Sequence, residues 1–121
     1  MTEIVAAYAA FVGCLVLTIW GVSLARRAIP ELATEPRAIA LHISAESIMG
    51  LTLVAGAAAT FGGLPAGPFV VLIGFGMTLY SIVNSSGYYA ERRQVAPLAM
   101  FAILFVATAA ATAAALATVA A

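Results

Sequence analysis

A chain of 121 residues that is 64% hydrophobic, with five arginines, five glutamates and neither lysine nor aspartate, has too few polar groups to cover a soluble body of its size. Its apolar surface calls for lipid as solvent, and any chemistry then lies inside the bilayer or at its edge. A formal net charge of zero, with no basic patch interleaved with aromatics, removes nucleic acid from the list of partners.

The first apolar run covers about residues 4–25 and ends at Arg26-Arg27. The acidic start Met1-Thr2-Glu3 and the length of the run are wrong for a cleaved signal peptide, so this segment is expected to remain as a membrane span. Trp20 near its end reads as an interfacial indole. Cys14, the single cysteine, allows no intrachain disulfide and reads as inert packing.

The connection that follows holds Pro30, Glu31, Glu35, Pro36 and Arg37. These prolines stop one helix and launch the next, because proline is tolerated in a first turn and not in an interior. The second span is about 38–61. Gly62, Gly63, Pro65, Gly67 and Pro68 then force a tight reversal, making spans two and three antiparallel neighbours.

The third apolar stretch, 69–83, is too short to cross a core of ~30 Å at about 1.5 Å per residue. Its helix must therefore continue through Asn84-Ser85-Ser86-Gly87 to the aromatic pair Tyr88-Tyr89, giving a span of about 68–89. Arg92-Arg93 follows. The fourth span, about 97–120, is rich in alanine and carries Thr108, Thr112 and Thr118, a surface that permits close helix approach and threonine bonds to its own backbone. Ala9/Gly13, Gly56/Thr60, Gly74 and Gly76 are further small positions at which helices can meet.

The fold class is thus all-α and integral to the membrane, a four-helix up-down bundle forming one domain over 1–121. Arg26, Arg27, Arg37, Arg92 and Arg93 all follow the first and third spans, while the turn after the second carries no charge. Arginine collects in cytoplasmic loops, so both termini are expected outside, and the alanine-rich, lysine-free composition points to a prokaryotic inner membrane.

Ionisable groups enter an apolar run only at the start of span two. His42 and Glu46 are four apart and share a helical face that continues through Met49, Leu53, Gly56 and Thr60. Glu46 lies roughly 9 to 12 Å along that helix, where a carboxyl group costs about one to three kcal/mol to insert and must face protein rather than lipid. Counting depths along the antiparallel span three brings Asn84 opposite His42 and Tyr80 opposite Glu46. The expected result is an intramembrane polar cluster of His42, Glu46, Tyr80 and Asn84.

Three functions fit such a cluster. It can be hydrogen-bonding glue in a structural or accessory subunit that self-associates or docks on other membrane subunits. Alternatively it can be the pathway of a proton-coupled or small-solute transporter. The third reading is a haem or metal site built on His42 in an oligomer; one histidine is an incomplete ligand set, so no cofactor is expected. No catalytic triad, phosphate loop or zinc-protease motif occurs, and the Asn84-Ser85-Ser86 sequon falls inside a span, so enzymatic function finds no support. Small four-span drug exporters also carry an intramembrane glutamate, but theirs is in span one and the surrounding residues differ, so no family resemblance covers this chain.

Overall fold

The computed structural model describes residues 2–121. Four long helices, α1 (Thr2–Ala25), α3 (Pro36–Phe61), α4 (Gly67–Glu91) and α5 (Val95–Ala120), are each long and apolar enough to cross a membrane. The fifth element is a single helical turn, α2 (Glu31–Thr34), in what the sequence reads as an irregular connection. Pro30 and Pro36 bracket it: Pro30 has the fixed φ of a helix start, and Pro36 opens α3 at its first turn. Among the described residues there is no strand. Continuation of α4 through Asn84–Gly87 agrees with the length argument, since the apolar core of that helix is too short by itself.

Each helix packs on its neighbours in chain order, α1 on α3, α3 on α4 and α4 on α5, with a slighter α1–α5 contact completing the ring. Contacts run antiparallel between successive long helices, from Gly13 over Gly50 to Trp20 beside Glu46. Small residues let the backbones approach. A Cβ on Gly13 would stand 2.8 Å from the Gly50 carbonyl, and one on Gly56 2.7 Å from the Val71 amide nitrogen. Leu53, 0% exposed, fills the space that Gly74 leaves open. Helices that cross a bilayer gain no hydrophobic force from meeting one another, and van der Waals fit of this kind is what can hold such helices together. Gly76, expected to serve the same purpose, has open space where its side chain would be, because it lies on the outer face of α4. Cys14 likewise differs from expectation: it is exposed on α1.

The two halves of the bundle are built differently. In the half that holds the termini and the Gly62–Ala66 turn, Val5, Ala6, Ala9, Leu53, Ala57, Val71, Phe75 and Ala115 form a dry core. Tyr8 donates or accepts a 2.7 Å hydrogen bond with Thr108, and its ring lies 5.9 Å from that of Phe75. The other half carries the arginines. There α1 and α4 end in the arginine turns, and the helices stand far enough apart to enclose a cleft.

Both arginine turns close in the same way. Arg27 and Arg93 adopt left-handed φ values of 53° and 54°, with Ala28 N–H donating to Ser23 and Gln94 N–H to Tyr89. This is the helix-ending geometry usually given to glycine, and Gly63 supplies it at the opposite end with φ 76°. Arginine in that conformation costs about 1 kcal/mol or more relative to glycine.

Candidate functional site

A cleft of about 750 Å³ enters the bundle at the arginine-bearing end and is lined by all four long helices and by α2. Its floor is Val12, Met49, Thr78 and Thr108, which are buried and belong to the boundary of the dry core. Glu46 projects into it from α3. Its position follows from the helical face read in the sequence, for Met49, Leu53 and Gly56 below it are buried in the bundle.

Three helices meet at the Glu46 carboxylate. Trp20 Nε1 on α1 donates to Oε1 at 3.1 Å, Ser81 Oγ on α4 donates to Oε2, and His42 Nε2, one turn along α3, lies 3.7 Å from Oε1. The Trp20 and His42 rings meet edge to face at 5.7 Å. The Glu46 side chain is 13% exposed and that of His42 is 32%, so the imidazole faces the open part of the cleft. Among the described residues every buried side-chain nitrogen or oxygen has a hydrogen-bond partner, which is how an otherwise costly carboxyl is accommodated at this depth.

Of the four residues expected to cluster, His42 and Glu46 do meet, and the two from α4 do not join them. Tyr80 is 74% exposed and faces away from the bundle; its neighbour Ser81, rotated by about 100° around the helix, takes its place against Glu46. Asn84 lines the cleft one turn closer to its mouth but makes no side-chain hydrogen bond to His42. Trp20 and Ser81 are the site residues that sequence reasoning missed. A signal for Trp20 exists: an indole N–H inside an apolar helix needs an acceptor, and Glu46 is the one carboxylate at matching depth.

The mouth is tied across. Tyr88 donates its hydroxyl to Glu31 Oε1 at 2.7 Å, joining α2 to the end of α4, and Arg92 lays its guanidinium 3.5 Å above the Tyr88 ring. The Tyr88 hydroxyl, with help from the Glu31 backbone N–H and the Arg92 charge, holds the Glu31 carboxyl below the usual carboxylate range. Ile29, just before α2, is buried, so this strap rests on the bundle. Arg26, Arg27, Arg37, Arg92 and Arg93 are all exposed around the same end, and none of them lines the cleft.

As for metals, no three His, Cys, Asp or Glu side chains converge among the described residues; His42 and Glu46 are a pair. A ligand set of three would require a second copy of the chain. No curated protein and no solved structure matches the sequence. A family model matches residues 1–121, the whole length, and the chain therefore belongs to the family described as domain of unknown function DUF8058.

Proposed function

We propose that this is a four-span integral protein of a prokaryotic plasma membrane, with both termini outside and both arginine-bearing turns in the cytoplasm, and that it transports a small solute in exchange for a proton carried by Glu46. The observation that carries this reading is a carboxyl group set deep in an open cleft and touched from three helices at once. Any solute or proton that reaches Glu46 competes with Trp20 and Ser81 for its oxygens. Occupancy is thereby coupled to how firmly α1 and α4 hold to α3, which is the minimum a carrier needs to convert binding into helix movement. His42 lies between Glu46 and the cleft opening, placed to pass a proton.

Proteoliposomes loaded with a pH-sensitive dye and challenged with a panel of small organic solutes test the reading. Wild-type protein should show solute-driven proton movement, and Glu46→Gln, which keeps the size and hydrogen-bonding capacity of the side chain, should show none. Equal proton movement in the two would eliminate Glu46 as the carrier. Orientation has its own check in a Cys14→Ala background: Gly63→Cys should react with an impermeant thiol reagent from outside and Ala33→Cys should not, the reverse pattern inverting the assignment.

A second reading, an accessory subunit or homo-oligomer, draws support from α5, of which only Thr108 and Ala115 are buried. Its outer alanine-rich face suits close contact with another helix. Native mass measurement in mild detergent separates the two readings, a stable hetero-complex favouring the subunit.

A further inference from the structure

The cleft is selective in the charges it admits. Glu31, Glu35 and Glu46, three of the five acidic residues, line it, and none of the five arginines does. Its aromatic lining is Trp20, Tyr88, Tyr89 and Phe101, with Tyr88 against Tyr89 at 5.1 Å and Tyr89 against Phe101 at 5.6 Å. Resting on the reading of this cleft as a solute site, we propose that its ligand is a hydrophobic organic cation, such as a quaternary ammonium or phosphonium compound.

Aromatic faces attract cations through the ring quadrupole, and the attraction grows when water is excluded. The mouth already does this to one cation, since the Arg92 guanidinium sits 3.5 Å over Tyr88. An anion would face three carboxylates with no arginine in the lining to receive it. A hard metal ion would want six or more oxygen ligands, whereas both Glu46 oxygens already accept hydrogen bonds and the surrounding walls are mostly carbon. A bulky cation with apolar arms needs neither: the walls solvate its arms and Glu46 supplies a single counter-charge. The volume of about 750 Å³ lies within the range of about 300 to 1,000 Å³ typical of sites for drug-sized ligands.

Trp20 is the single tryptophan of the chain and touches Glu46, so its fluorescence reports the site directly. The full-length protein in lipid nanodiscs is titrated with tetraphenylphosphonium, with tetraphenylborate of nearly the same shape and opposite charge, and with neutral triphenylphosphine oxide. The phosphonium should give a saturable change that Glu46→Gln weakens about tenfold, the loss of roughly one good charge contact. The borate and the oxide should give none beyond the bilayer partitioning seen equally in both proteins. Should Glu46→Gln not fold, the exposed mouth substitution Glu35→Gln takes its place and should weaken phosphonium binding alone. Saturable binding of borate or oxide as tight as that of the phosphonium overturns the cation assignment while leaving a solute cleft. Absence of a saturable response to all three probes overturns both.

Discussion

The same four helices make a closed half and an open half, and the residues that separate the two are few. Toward the termini, glycine and alanine bring backbones into contact and Leu53, Val71 and Phe75 are wholly or almost wholly buried. Toward the arginines the facing residues are Trp20, His42, Glu46, Ser81 and Ser85, and the helices part around them. The Tyr8–Thr108 hydrogen bond marks the border. For helices that would gain nothing from hydrophobic association within lipid, close packing is favoured only where side chains are small and apolar. Polar side chains of larger size keep helices apart, and the space they keep open is where a ligand can enter.

The closed half should be the more sensitive to substitution. Leu53→Ala removes a fully buried side chain from beneath Gly74 and should destabilise the bundle by about 2 to 5 kcal/mol, read as a large loss of detergent-resistant fold in thermal or denaturant unfolding. A cost below about 1 kcal/mol would mean that the closed half is not what holds the bundle together.

Substitutions at the centre of the open half should be milder. Glu46→Ala removes three contacts and should cost roughly 0.6 to 2 kcal/mol, the scale of interhelical hydrogen bonds in membranes. Ser81→Ala should cost little once Glu46 is already alanine, since both changes delete the same bond. Tyr80→Phe should leave stability unchanged in either background, because Tyr80 faces outward. Sensitivity at Tyr80 in place of Ser81 would show that α4 is rotated from the arrangement described.

The smallest effect belongs to the strap at the mouth. Glu31 has a carboxyl lowered in the folded protein, so its contribution is complete above the ordinary glutamate range and fades as pH falls through the lowered value. The pair is exposed, which keeps its worth small. Tyr88→Phe should remove the largest part of the downward shift of the Glu31 titration followed by NMR, with little change in global stability. An unshifted Glu31 in the wild type would remove the strap from the account.

Much of this division is legible in the sequence, and the part that is not has a geometric cause. Helix extents follow from where apolar runs meet proline, glycine and arginine, including the extension of α4 through its polar segment to Glu91. The inward face of α3 follows from the three- and four-residue spacing of His42, Glu46, Met49 and Leu53. The rotation of α4 does not, since depth counting places Tyr80 and Ser81 almost equally well and only packing decides between them. The same holds for Trp20: near a helix end it reads as an interface marker, and its bond to Glu46 becomes visible only when α1 is laid against α3. The cleft is a property of how four helices diverge, and no single segment encodes it.

A cleft open to water at the arginine-bearing end above a sealed core would leave its mark on cysteine accessibility in the Cys14→Ala protein. Ser85→Cys lines the cleft on α4, and Ala57→Cys lies 2% exposed in the closed half on α3. In inside-out vesicles, where the proposed orientation turns the arginine-bearing end to the bath, a small water-soluble thiol reagent should modify Ser85→Cys rapidly and Ala57→Cys hardly at all. Reaction at equal rates, or a Ser85→Cys that is reached only from the side of the termini, would contradict it.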